Sequence, residues 1–70
     1  MRKIVKKFGQ RVKALRISKS MSQGDLAKIL NVHRSYVSGI ERGLRNPSLL
    51  TIKKLATALN IGSSELIDGI

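Results

Sequence analysis

The sequence predicts an all-α fold, a compact bundle of five helices, and three observations carry this prediction. Apolar residues recur at spacings of three and four, whereas the alternation expected of strands is missing. Turn and capping residues divide the chain into short segments. The apolar fraction of 41% is too high for a disordered basic tail. We expect residues 1–70 to form one small domain without disulfides, because the chain contains no cysteine.

The first helix is predicted over residues 4–19. Its apolar positions recur about one helical turn apart and comprise Ile4, Val5, Phe8, Val12 and Leu15. Gly9 interrupts this segment, and a glycine inside a helix costs about 1 kcal/mol relative to alanine. The first turns are therefore the weakest part of the predicted helix.

The second helix, over residues 23–30, begins at a capping-box pattern. In Ser22-Gln23-Gly24-Asp25 an aspartate stands where glutamate is usual. The apolar residues of this helix are Leu26, Ala27 and Leu30. Asn31 can close the helix in a left-handed conformation, which asparagine tolerates better than most residues do.

The third helix is predicted over residues 34–42, with Val37 and Ile40 facing the core and Gly43 ending it. A tight turn joins it to the second helix, and the small Ala27 allows the two to approach closely. Such a pair forms a helix-turn-helix, here over about residues 23–42. In this motif the second helix lies in the major groove of DNA and the first crosses the backbone.

Two further helices are predicted after a turn at Asn46-Pro47-Ser48, which leads into an N-cap. The fourth helix has the strongest apolar stripe of the chain, formed by Leu49, Ile52, Leu55, Ala56 and Leu59. The segment Gly62-Ser63-Ser64-Glu65 caps a last short helix that carries Leu66 and Ile67.

The charge of the chain is large, positive and unevenly distributed. Fourteen Lys and Arg residues against four Asp and Glu give a net charge of +10 and an isoelectric point near 11.1. Residues 1–24 carry eight bases and no acid, whereas residues 48–70 carry two of each. This asymmetry predicts one surface for a polyanion such as nucleic acid and another for the core or a partner chain.

Several function classes are not expected. The sequence contains no paired acids, no nucleophile beside a base and no glycine-rich phosphate loop, so we predict no enzyme and no catalytic residue. His33 is the only histidine, which predicts no metal site, and nothing indicates a cofactor or a small-molecule ligand. No apolar run exceeds two residues, so neither a membrane span nor a signal peptide is predicted. We expect a cytoplasmic protein.

Two other polyanion-related classes are disfavoured. A cationic membrane-active peptide would need exposed bulky apolar residues such as tryptophan, and the chain contains no tryptophan. An RNA-binding module would need stacking aromatic residues, and only Phe8 and Tyr36 are available. An antitoxin or another protein-binding role on the same fold stays open.

Four motifs occur together in this sequence at a characteristic spacing. They are Phe8-Gly9-Gln10-Arg11-Val12-Lys13-Ala14-Leu15-Arg16, Ser22-Gln23-Gly24-Asp25-Leu26-Ala27, Ile40-Glu41-Arg42-Gly43 and Asn46-Pro47-Ser48-Leu49. Through them, residues 8–66 resemble the Cro/C1-type helix-turn-helix family of phage repressors and small bacterial regulators. Residues 33–43 are most similar to the controller proteins of restriction-modification systems, which are small homodimers that bind operators next to their own genes.

The resemblance implies a sequence-specific regulator of transcription that acts as a homodimer on a pseudo-palindromic operator in double-stranded DNA. It puts RNA polymerase among the candidate partners. A prophage-type repressor and the antitoxin of a toxin-antitoxin pair are the alternative roles on this fold. The operator sequence and the choice between activation and repression do not follow from it.

Carried over by position, the resemblance implies particular site residues. It assigns base reading to Arg34, Ser35, Ser38 and Arg45. It assigns phosphate contacts to Gln23, His33, Tyr36 and Asn46. It also implies a buried ion pair between Arg16 and Glu41. Gly39 is expected to leave room for a close approach to DNA. Ser20 departs from the family, which usually has glycine there, and a left-handed backbone would strain the serine.

A dimer surface is predicted in the C-terminal part of the chain. Residues 48–70 carry no net charge and eleven apolar residues, more than one small domain easily covers. Leu50 lies off the apolar stripe of the fourth helix, whereas Ile67 and Ile70 lie at the far end of the fold from the basic half. We therefore expect Leu50, Ile67 and Ile70 at a two-fold interface.

Overall fold

The computed structural model describes residues 2–70 and arranges them as five α-helices. They are α1 (Lys3–Ser18), α2 (Gln23–Leu30), α3 (Arg34–Glu41), α4 (Leu49–Ala58) and α5 (Ser63–Ile67). The first three helices, for which bounds were predicted, begin and end within one residue of those bounds, and the predicted all-α fold is confirmed. Of the predicted domain 1–70, only Met1 lies outside the described residues.

One apolar core connects the helices. Its fully buried side chains are Val12, Leu26, Val37, Ile40, Leu55, Leu59 and Leu66. Helix α3 packs against both α1 and α2, and α5 packs against α4 and α1. The predicted stripe of α4 is wrong at Leu49, which is 86% exposed. Because α4 begins at this residue, its side chain lies at the end of the helix, beyond the core.

The first four helices end in the same way, each with a residue in the left-handed region. These residues are Ser20, Asn31 and Asn60, each with φ 57°, and Gly43 with φ 75°. The next residue donates its backbone N–H to a carbonyl five positions back, in the pairs Met21–Arg16, Val32–Ala27, Leu44–Gly39 and Ile61–Ala56. Both features define the Schellman motif. The left-handed Asn31 was predicted, whereas the one at Asn60 was not.

Gly9 allows α1 to pass close to the end of α3. A Cβ at this position would overlap the carbonyl oxygen of Ile40 and lie 2.8 Å from that of Glu41. The low helix propensity of glycine is therefore offset by a helix contact that no other residue permits.

Arg11 attaches the short helix α5 to α1. Its Nη1 donates to the backbone carbonyl of Glu65 at 3.2 Å and to that of Asp68. A five-residue helix is too short to be stable alone, so its position depends on such tertiary contacts. This arginine thereby fixes the segment that carries Ile67.

Candidate nucleic-acid interface

A buried ion pair between Arg16 of α1 and Glu41 of α3 supports the candidate interface from inside the protein. Arg16 Nε lies 2.6 Å from Glu41 Oε2 and its Nη2 lies 3.1 Å from Oε1, so the contact is bidentate. Both side chains are buried, with 10% of the Arg16 side chain and 2% of the Glu41 side chain exposed. The hydrogen bond to Glu41 raises the pKa of Arg16, although burial opposes this rise.

The same carboxylate also binds α2. Gln23 Nε2 donates to Glu41 Oε1 at 3.0 Å, and Arg16 Nη1 donates to the carbonyl of Met21 at 2.7 Å. The first residue of α2 is thus joined to the last residue of α3. Gln23 was predicted only as a phosphate ligand, and one of its two amide hydrogens is committed to Glu41. Nothing in the sequence indicated the contact between Gln23 and Glu41, because 18 residues separate the two side chains.

The exposed face of α3 begins at its first residue. Arg34 and Ser35 are exposed and Ser38 is half-buried, whereas Val37 on the opposite face is fully buried. The expectation for Gly39 is wrong. It is buried, and the side chain of Arg45 occupies the space that was expected to admit DNA.

Four of the predicted DNA-binding residues line one shallow cavity at the start of α3. His33, Ser35, Tyr36 and Arg45 surround it, together with Asn31 and Val32, and its volume is about 410 Å³. His33 is exposed and stands at the N-cap of α3, but its side chain makes no capping hydrogen bond. Asn46 is also exposed but lies apart from this cavity, next to Pro47.

Tyr36 packs on the edge of the core rather than projecting freely into solvent. Its ring contacts the core cluster, and its hydroxyl lies 3.5 Å from Thr51 Oγ1. Thr51 in turn lies 3.1 Å from the hydroxyl of Ser48, the N-cap of α4. The guanidinium of Arg45 lies over the ring, 5.7 Å from its centroid. Sequence reasoning missed Thr51 and Ser48 as supports of Tyr36.

The three residues predicted for the dimer interface lie on two separate grooves. Ile67 and Ile70 line an apolar groove of about 300 Å³, which continues over Ile4, Val5, Phe8 and Ile52. Leu50 lines another groove, with Ile29, Lys53 and Lys54. Leu50 is 63% exposed and Ile67 is 49% exposed. Both grooves therefore present apolar side chains to solvent.

Two structural features bear on other kinds of site. Within residues 2–70, no three His, Asp or Glu side chains cluster as a metal ion would require. Over the same residues, the helices are too short or too polar to cross a membrane.

A family model described as helix-turn-helix matches residues 12–66, which include α2, α3 and most of the core. The chain belongs to this helix-turn-helix family. Its resemblance to Cro/C1-type regulators, and among them to restriction-modification controller proteins, is confirmed.

Individual relatives within the helix-turn-helix family are similar over most of the chain. Control protein C.BamHI of Bacillus amyloliquefaciens is 50% identical over 62 residues, which cover 87% of this chain and 76% of that protein. The crystal structure of the restriction-modification controller protein C.AhdI from Aeromonas hydrophila shares 56% identity. It superposes with a TM-score of 0.83, covering 90% of this chain and 94% of that one.

A third relative was crystallised on DNA. The restriction-modification controller protein C.Esp1396I, a tetramer in complex with its natural 35 base-pair operator, is 30% identical to this chain. Its TM-score is 0.86, and the match covers 94% of this chain and 87% of that one.

Proposed function

We propose that this protein is a sequence-specific regulator of transcription that binds double-stranded DNA as a homodimer, and that it is the controller protein of a restriction-modification system. One observation carries the proposal. The exposed first turn of α3 stands on a scaffold that the buried Arg16–Glu41 pair joins to α1 and α2. A helix held in this way can enter the major groove without reorganising. The relatedness to C.BamHI and C.AhdI supports the controller assignment.

The proposed roles divide the site into reading and positioning contacts. Base edges are read by Arg34, Ser35, Ser38 and Arg45. Phosphates are bound by Gln23, His33, Tyr36 and Asn46. An arginine can bind guanine O6 and N7 together, and hydroxyls can contact several bases, whereas phosphate contacts carry no sequence information. Gln23 suits a phosphate because it is the first residue of α2, and the N-terminus and dipole of a helix favour an anion.

The proposed assembly is a two-fold dimer that uses Leu50, Ile67 and Ile70. It would place two α3 helices about 34 Å apart, one turn of DNA. The operator is then pseudo-palindromic. We further propose a cytoplasmic protein that binds without catalysis, cofactor or small-molecule effector, with RNA polymerase as a second partner.

Selection of bound sequences from a random DNA pool tests the proposal. We expect a pseudo-palindromic consensus that recurs beside the protein's own gene, with an endonuclease gene in the same neighbourhood. A phage gene or a toxin gene in that place would instead favour a prophage-type repressor or an antitoxin. Failure to enrich any consensus would contradict sequence-specific binding.

The reading role of α3 is tested with Arg34→Ala. Loss of a bidentate contact should cost about 1–3 kcal/mol on the selected operator and much less on a scrambled duplex. It should also flatten the penalty for changing one base pair in each half-site. Arg42→Ala is the matched control, because Arg42 is an exposed arginine at the opposite end of α3. Equal losses on both duplexes with Arg34→Ala would make Arg34 a phosphate contact and the reading assignment wrong.

A further inference from the structure

Gly39 has a neighbour that explains why the residue is glycine. A Cβ built on Gly39 would lie 2.8 Å from Arg45 Cγ and 3.6 Å from Arg45 Nε. The three nearest atoms to this position, beyond α3's own backbone, all belong to Arg45. The close contact is thus with a single side chain, unlike that of Gly9, which is with the backbone of α3.

The other side of Arg45 rests on Tyr36. The guanidinium carbon lies 5.7 Å from the centroid of the ring, within the range of a cation–π interaction. Tyr36 and Gly39 are three residues apart on α3 and so face the same way. Together they form a seat: Gly39 receives the aliphatic stem of Arg45 and Tyr36 receives its charged end.

The Tyr36 side of this seat is held in place by residues at the start of α4. The hydroxyl of Tyr36 lies 3.5 Å from Thr51 Oγ1, which Ser48 contacts at the N-cap of α4. Among residues 2–70, Arg45 pairs with no carboxylate, so its guanidinium keeps its donors for another partner. A long arginine side chain ordinarily loses much rotational freedom on binding, and a side chain that is already oriented loses less.

We propose that Gly39 and Tyr36 are positioning residues that hold Arg45 in the orientation from which it reads a DNA base. This inference rests on the proposed function. Arg45 lies outside α3, in the loop before α4, so its direction is not set by a helix. The seat supplies that direction, and part of the operator preference depends on two residues that touch no base themselves.

Gly39→Ala is the decisive variant. Alanine favours a helix more than glycine does, and the three atoms nearest to the added methyl group all belong to the flexible side chain of Arg45. The fold should therefore persist while Arg45 is displaced. The base pair that Arg45 reads is identified first. It is the one at which base substitution weakens binding of the wild type but no longer weakens binding of Arg45→Ala. At that base pair we expect Gly39→Ala to lower the preference about fivefold or more. Binding to a scrambled duplex and the preference set by Arg34 should change by less than about twofold, and the thermal midpoint should not fall.

Two substitutions of Tyr36 separate its ring from its hydroxyl. Tyr36→Phe keeps the ring, so it should retain the preference at the Arg45 base pair even if a lost phosphate contact weakens binding to all duplexes alike. Tyr36→Leu removes the ring and should lower that preference as Gly39→Ala does. A purely structural role of Tyr36 would instead reduce all affinities and the thermal midpoint together, and would overturn this part of the proposal.

A double substitution tests whether Gly39 acts through Arg45. In an Arg45→Ala background, Gly39→Ala should have no further effect on base preference, since the displaced side chain is absent. Gly62→Ala is the matched control, because its methyl group would make only ordinary contacts near α5. The proposal would be wrong if Gly39→Ala kept the full preference at the Arg45 base pair. It would also be wrong if Gly39→Ala lowered base preference equally in the Arg45→Ala background. A wild-type protein with no base preference at all would refute the proposed function as well, so the two failures are distinguishable.

Discussion

Glu41 is the residue on which most of the candidate interface depends. It receives Arg16 from α1 and Gln23 from α2, so its removal leaves a buried arginine charge without a partner. We expect Glu41→Ala to destabilise the protein by roughly 3–5 kcal/mol, which approaches the lower end of the stability of about 5–15 kcal/mol of a typical domain. Thermal unfolding measures this loss. An apolar pair, Arg16→Met with Glu41→Leu, should recover much of it. A shift of only a degree or two in Glu41→Ala would show that the pair contributes little.

Ser20 carries backbone strain at the end of α1. Its φ of 57° is left-handed, a region that costs a non-glycine residue about 1–2 kcal/mol. Ser20→Gly should relieve that strain, but glycine also gains freedom in the unfolded chain. We expect a net stabilisation of some tenths of a kcal/mol, measured by denaturant unfolding, with operator affinity unchanged. Asn31→Gly, at the same φ, should gain less because asparagine tolerates this region. Destabilisation by Ser20→Gly would show that the left-handed backbone at Ser20 is not strained.

At the scale of the element, the start of α2 depends on a reciprocal capping box. Ser22 Oγ accepts from the backbone N–H of Asp25 at 2.9 Å, and the Asp25 carboxylate accepts from the N–H of Ser22 at 2.8 Å. The bond from the Ser22 backbone lowers the pKa of Asp25 below its ordinary value of 3.8. A depressed carboxylate pKa adds stability above the unfolded pKa, and this stability is lost as the pH falls through the folded value.

The lowered pKa of Asp25 determines how the stability of Asp25→Ala, relative to the wild type, should depend on pH. The variant should be less stable than the wild type near pH 7, and the difference should shrink as the pH falls below about 4. Thermal midpoints measured between about pH 2 and pH 7 give this difference directly. Asp68→Ala serves as the control, because Asp68 is an exposed carboxylate outside any capping box. A difference that stays constant with pH would mean that the carboxylate does not cap α2.

At the scale of the whole molecule, the apolar groove beside α5 is the surface on which the proposed dimer depends. Arg11 fixes α5 there, and Ile67 and Ile70 line the groove. We expect Ile67→Asp to weaken self-association by about tenfold or more, equivalent to about 1.4 kcal/mol, because an interface would bury an unpaired carboxylate. Leu50→Asp should act in the same direction. Sedimentation over a concentration series measures the effect.

Ile17→Asp is the control for these two variants. It makes the same chemical change on α1, at a side chain that is 56% exposed, and should leave self-association unchanged. Operator affinity should fall with dimerisation in Ile67→Asp, because two half-sites are bound together. A wild-type protein that stays monomeric at high micromolar concentration would contradict the dimer.

The helices, their caps and the helix-turn-helix could be predicted from the sequence because they depend on local order. Apolar spacing, the Ser22 cap and the left-handed Asn31 involve residues within a few positions of each other. The concentration of positive charge in the first half can likewise be read from the order of the residues. The candidate DNA-binding residues followed from the resemblance to the helix-turn-helix family, and their roles stay predictions.

The tertiary structure decided which atoms from distant parts of the chain meet. Gln23 bonds to Glu41 and Gly39 receives Arg45, so two residues assigned toward DNA also have partners inside the protein. Leu49 is exposed although it continues the apolar stripe of α4, because periodicity does not show where the neighbouring helices stop. Spacing along one helix specifies a face, whereas the residue that covers it depends on how separate helices pack.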